Sequence, residues 1–219
     1  MTKTPLIILG ASGNAADILD IVDALNAVRP RWVITGLLDD KRKKGSVVYG
    51  RPVVGKLSAV ADFPSDTMFI NAIGSDRSYV AREQIVASTG LEDRRFATLI
   101  HPGAAISAGA SLGPGSYACF GVSAGHNVRV GGHVHLGVGA ILGHDTSVDD
   151  YALIAPGAVV SGFVRIGKAS YIGAGAVIKQ LVDVGDGALV GLGAVVIRDV
   201  ASRAVVAGNP ARPLLRNAT

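Results

Sequence analysis

From Ile100 to Val196 every sixth residue is aliphatic, seventeen in succession without a break. The residue after each lead is often glycine (Gly113, Gly125, Gly143, Gly167), and the one four places on is small or β-branched (Val122, Ala140, Ala158). A helix needs apolar spacing near 3.6 and a simple strand alternates in twos, so a period of six fits neither. It predicts a solenoid of short strands in which three faces make an eighteen-residue turn and each turn covers the apolar top of the one below. The register allows roughly five and a half such turns. Branched leads fill the interior, and glycines take the tight corners.

Before residue 98 the pattern is different. Leu6–Leu9 reads as a short buried parallel strand, and Gly10-Ala-Ser-Gly-Asn14 turns it into a helix from about Ala15 to Val28, with Ile18, Leu19, Ile21, Val22 and Leu25 as its apolar stripe. Further strands are expected at Trp32–Leu38, Pro52–Gly55 and Met68–Ala72, then a helix from about Ser78 to Ser88 and a last strand at Phe96–Ile100 leading into the solenoid. Residues 1–98 therefore read as a small Rossmann-like α/β domain, and residues 99–219 as the parallel β-helix.

Strand, glycine turn and helix together present free N–H groups and a helix dipole to a phosphate. The G-x-G-x-x-G fingerprint of a dinucleotide site is absent, so an ordinary tight turn explains Gly10 and Gly13 as well. Asp39 and Asp40 end the second strand, where carboxylates accept hydrogen bonds from a ribose or base; the same pair followed by Lys41 also makes a good chain reversal. Gly74 sits at another strand end, where a missing side chain permits close approach of a ligand or of a neighbouring loop.

Composition narrows the function classes. The chain has 219 residues, 29 of them glycine, only 5% aromatics and a net charge of +4. Its basic residues are scattered apart from Lys41–Lys44, which excludes the dense basic, aromatic-interleaved surface of a nucleic-acid binder; the run is a solvated turn or a phosphate-steering patch. The single cysteine, Cys119, excludes an internal disulfide and a cysteine-rich zinc site, and reads as a small corner residue. With no signal-like segment and no run of eighteen apolar residues, a cytoplasmic protein without membrane insertion is expected.

Of five histidines, His126 and His144 are eighteen apart and share one column of the solenoid, about 4.8 Å from one coil to the next. His135 lies half a turn away from both. His144 followed by Asp145 supplies a group suited to act as a general base beside an orienting carboxylate.

The hexapeptide pattern, with Gly10–Asn14, Leu37-Leu-Asp-Asp40, Ala72-Ile-Gly74, Leu99-Ile-His-Pro102, Gly143-His-Asp145, Ile154–Ala158 and Gly208-Asn-Pro-Ala-Arg212, resembles the hexapeptide-repeat sugar acetyltransferases of the sialic acid O-acetyltransferase and bacillosamine N-acetyltransferase group. The resemblance implies a left-handed prism and a homotrimer with sites in the grooves between chains. Acetyl-CoA would be the donor, with no metal, and a nucleotide-linked amino sugar the acceptor, N-acetylated by direct attack; O-acetylation of a sugar hydroxyl is the alternative. It assigns His144 as base with Asp145, and Gly10, Ser12, Gly13, Asn14, Asp39, Asp40, Lys41 and Gly74 to the sugar nucleotide. Leu153, Gly162, Gly173, Ala174, Gly191 and Leu192 fall to the acetyl-CoA groove, and Arg212 to a CoA phosphate. Three positions depart from the family: Asn14 and Leu153 stand where relatives commonly carry histidine, and Gly137 where they often carry asparagine. A rival is the zinc carbonic anhydrases of the same fold, which would use His126, His135 and His144 across two chains; a non-enzymatic scaffold is the remaining one.

Overall fold

The computed structural model describes residues 3–214. The N-terminal unit is a five-stranded sheet built from β1 (Thr4–Leu9), β2 (Trp32–Leu38), β3 (Val47–Val48), β4 (Arg51–Gly55) and β5 (Met68–Asn71) in the order β3-β4-β2-β1-β5. All neighbours are parallel except β3 and β4. That hairpin was not expected, because β3 is too short for alternation to show. Tyr49 and Gly50 turn it with φ of 48° and 71°, the two positive values of a tight two-residue hairpin turn. Helix α1 (Gly13–Val28) buries Ile18, Leu19, Ile21 and Val22, the expected stripe. The helix expected over Ser78–Ser88 is a 3-10 turn at Tyr79–Ala81 followed by α2 (Arg82–Ala87). The strand expected over Phe96–Ile100 divides between the two units: Phe96 bridges to Phe69 of β5, while Leu99–Ile100 opens the solenoid.

The solenoid is a left-handed parallel β-helix of three sheets. Its strands pair eighteen residues apart, as in His135 with Leu153, Ser123 with Ile141 and Arg129 with Ser147. In each two-residue strand the second side chain points inward, so Leu136, Leu142, Val148, Ile154, Val160 and Ile166 are all but fully buried.

The outward residues make the three faces chemically distinct. On the first, Leu99, Tyr117, His135 and Leu153 are buried because the N-terminal unit covers them. The second presents Ser111, Arg129, Ser147, Arg165 and Asp183. The third presents Ile141, Val159, Val177 and Val195, with Ile141 and Val177 exposed. Among the described residues no helix is long and apolar enough to cross a membrane.

Polar contacts fix the N-terminal unit on the first face. Arg82, 1% exposed, donates from Nη2 to the His133 carbonyl at 2.5 Å, Tyr79 donates to the Gly187 carbonyl at 3.1 Å, and Lys168 pairs with Glu83 at 2.7 Å. Inside this junction His135 stacks on Tyr117 at 4.5 Å, and burial pushes its imidazole pKa down to about 3. The unfolded chain takes up that proton near pH 6.5. Between about pH 6.5 and 3 the unfolded state therefore binds more protons, and stability is lost as the pH falls through that window. His135→Phe, which keeps the aromatic stack, should flatten melting temperature against pH in this range relative to the parent; an unchanged curve would show that His135 does not drive the acid sensitivity.

Candidate active site

The corner between the apolar and charged faces holds His126, His144 and Gly162 in successive coils. Asp145 follows His144 in the left-handed backbone region, with φ of 57°, and this bend lets two adjacent side chains converge instead of pointing to opposite faces. His144 Nδ1 and Asp145 Oδ2 are 2.9 Å apart. The other carboxylate oxygen, Oδ1, accepts a hydrogen bond from Asn127 Nδ2 at 2.8 Å. The Asn127 and His144 hydrogen bonds hold the Asp145 carboxyl below the usual carboxylate range, so it stays ionised and an acceptor. Nδ1 of His144 is thereby kept as the N–H position, which leaves Nε2 with its lone pair.

Nothing among the described residues hydrogen-bonds Nε2. Its ring stands edge-on to Phe163, with centroids 5.0 Å apart, and lies over Gly162, where a Cβ would come within 2.9 Å of Nε2. Gly162 thus clears the space that the imidazole occupies. Asn127 was missed in the sequence, although the column arithmetic that aligned His126 with His144 aligns Asn127 with Asp145.

Gly173, Ala174, Gly191 and Leu192 lie along the other edge of the apolar face, in the corner following Tyr171–Ile172 and Leu189–Val190. A Cβ on Gly173 would meet the Leu192 nitrogen at 2.5 Å, and one on Gly191 the Ala207 Cβ at 2.9 Å, so stacking of the coils alone requires these glycines. Leu192 projects with 82% of its surface exposed. One chain therefore does not bring this edge to His144. Leu153 is elsewhere again: it is 4% exposed on the covered face, beneath Gly74, and belongs to packing within its own chain. Arg212 lies in the closing strand Arg212–Pro213 and donates to the Ala211 carbonyl.

At the C-terminal edge of the N-terminal sheet the other candidate residues do gather. Gly10 has φ of 96°, and any side chain there would strike Ile73, so this glycine is fixed by backbone geometry. Ser12 caps α1 without a side-chain bond, and the space beside Gly13 is open. Asn14 donates to the Ala72 and Gly74 carbonyls at 3.1 and 2.9 Å, tying the first turn of α1 to the end of β5. Asp39 accepts from the backbone N–H groups of Ala11, Lys41 and Arg42, and Asp40 from that of Leu57. Both carboxylates thus build the rim as well as border it. Gly74 makes room for Arg82, whose Nη1 would lie 2.8 Å from a Cβ, which answers the choice between ligand and neighbouring segment in favour of the segment.

The remaining histidine of the zinc rival lies on the face that the N-terminal unit covers. His135 is 3% exposed, with Nε2 3.9 Å from Cys119 Sγ, so it cannot join His126 and His144 at a corner or reach a neighbouring chain. Asp17, Cys119 and His135 do bring three ligand-type atoms within 4.8 Å of one another. The buried Arg82 guanidinium already acts on this cluster, and burial, reinforced by Asp17 and Asp20, pushes the Cys119 thiol pKa up to about 12, which suits a neutral packing contact. The same burial argues against Cys119 as an acyl carrier.

Comparison with known families matches residues 5–88 to the PglD N-terminal domain and residues 145–180 to the bacterial transferase hexapeptide, six repeats. Among solved structures, the acetyltransferase domain of PglB from Neisseria gonorrhoeae FA1090, in complex with acetyl coenzyme A, is 33% identical; the match covers 97% of this chain and 100% of that one, with a TM-score of 0.83. The chain belongs to the hexapeptide-repeat sugar acetyltransferases. WeeI from Acinetobacter baumannii AYE is 28% identical over 95% of this chain and 99% of its own, with a TM-score of 0.81. PerB from Caulobacter crescentus, in complex with CoA and GDP-perosamine, is 24% identical over 96% and 97% with a TM-score of 0.80, and shares the fold. No curated protein sequence matches significantly. As a member of this family the protein is an acetyl-CoA-dependent acyltransferase.

Proposed function

We propose that the protein moves acetyl from acetyl-CoA to the amine of a nucleotide-linked amino-deoxysugar, with His144 as general base, in a groove shared by two copies of the chain. The observation that carries this reading is the His144–Asp145 pair, whose Nε2 is left without a protein partner on the edge of an exposed apolar face. In the reaction the sugar nitrogen attacks the thioester carbonyl. The new C–N bond forms and the C–S bond breaks, Nε2 takes the proton that the nitrogen sheds, and the imidazolium passes that proton to the departing CoA thiolate, which leaves as the thiol and restores the neutral base.

The chemical character of the three faces supports a shared groove. The N-terminal unit covers one, charge solvates the second, and the apolar third needs a cover that a second copy would supply. Burying Ile141, Val159, Val177 and Val195 in a trimer would set the His144 edge of one prism beside the Gly173–Leu192 edge of another. The open first turn of α1 and the Asp39–Lys41 rim are the proposed seat of the nucleotide, with α1 N–H groups toward phosphate. The fold relative PerB, complexed with CoA and GDP-perosamine, is consistent with an amino-sugar acceptor.

The acceptor is tested by supplying acetyl-CoA with nucleotide-linked 4-amino sugars or with hydroxyl-only sugars and following free thiol release. Turnover is expected with the amines. Turnover confined to the hydroxyl acceptors would move the assignment to O-acetylation.

A further inference from the structure

Asn127 and Asp145 occupy equivalent corner positions in successive coils, both with φ of 57°. Asparagine and aspartate tolerate that left-handed conformation better than other side chains. A lone carboxylate on a half-exposed corner turns easily about its last bond, whose torsional preference is broad. Here the Asn127 amide holds Oδ1 at 2.8 Å while Oδ2 faces His144 Nδ1 at 2.9 Å. With one oxygen taken from each side the carboxylate plane is set, and with it the imidazole tautomer.

We infer that Asn127 is a positioning residue for the acetyl transfer, acting through Asp145 to keep the His144 proton on Nδ1 and the lone pair on Nε2. The inference rests on the reading of His144 as the base. Two titratable side chains, His144 and His126, act on Asp145, and the neutral Asn127 amide completes its surroundings. A neutral donor at this place fixes the carboxylate without competing for the proton that His144 must accept and release. An acidic residue there would set two carboxylates against each other and favour protonation of Asp145.

Asn127→Gly separates the side chain from the backbone, since glycine adopts the positive φ without steric cost and the corner keeps its shape. In the whole 219-residue chain we expect kcat to fall roughly 5–50-fold, less than the roughly 10²–10⁴-fold expected on losing the base itself, with the KM for acetyl-CoA and the melting temperature nearly unchanged. The ¹⁵N shifts of the His144 ring should move from a single Nδ1–H tautomer to a mixture. Asn127→Asp should be slower than the glycine variant at neutral pH. Wild-type kcat and an unaltered tautomer in Asn127→Gly, alongside an inactive His144→Ala, would overturn the role of Asn127 alone. Wild-type rates in both variants would instead remove the base assignment on which it stands.

Discussion

Replacing His144 with alanine should lower kcat by roughly 10²–10⁴-fold, the range expected when a positioned general base is removed. Assembly and acetyl-CoA binding should be nearly intact. The imidazole is a corner side chain with no partner in the prism core; its contacts are Asp145, the edge of Phe163 and the bare surface of Gly162. Alanine therefore leaves no buried polar group unpaired and opens no interior cavity, so lost activity reports chemistry and not folding. Steady-state rates with saturating acetyl-CoA, beside a direct binding measurement for acetyl-CoA, separate the two. A fall in acetyl-CoA affinity as large as the fall in kcat would make His144 a binding group.

The second large effect is expected at the apolar face. Val177 is the outward residue of its strand, and the inward neighbour Ile178 carries the packing. Val177→Glu should leave each prism folded, because the new carboxylate points to solvent in the free chain. In an assembled trimer it would be buried without a partner, at a cost of several kcal/mol per chain. Sedimentation should show monomers at micromolar concentration with unchanged far-ultraviolet circular dichroism, and transfer activity should drop at least about 100-fold because half of each groove is gone. A monomeric Val177→Glu that retains full activity would show that one chain suffices.

The prism was legible because its constraint is local and repeated. Each coil must cover the last, so every sixth residue is aliphatic and one count fixes register, turn length and the His126–His144 column. The pairing of Asp145 with His144 was legible chiefly through the family resemblance, and it is the positive φ of Asp145 at the corner that brings the two neighbours together. What stayed hidden depends on contacts between the two units. Nothing local to Ala72-Ile-Gly74 reveals that Gly74 makes way for Arg82 and Leu153, because that follows from how the α/β unit seats on the prism. Leu153 read as a groove residue for want of the knowledge that its face is covered, and His135 read as a ligand candidate for the same reason. The β3–β4 hairpin escaped because two valines carry no periodicity. The turn that Asp39 makes with Lys41 and Arg42 was legible as a chain reversal, but the contacts of Asp39 to Ala11 and of Asp40 to Leu57 were not, because a carboxylate at a strand end looks the same whether it receives a ribose or distant backbone N–H groups.

The most direct test of His144 as the base is the pH dependence of kcat/KM for wild type and His144→Ala with the same nucleotide-linked amino sugar. With Asp145 held ionised, the acidic limb of the wild-type profile should contain a contribution that requires the His144 imidazole, beside one from the amine of the acceptor. In His144→Ala that contribution should vanish and the residual rate should follow the amine alone. A variant within about threefold of wild type from pH 6 to 9, with both contributions preserved, would contradict the mechanism.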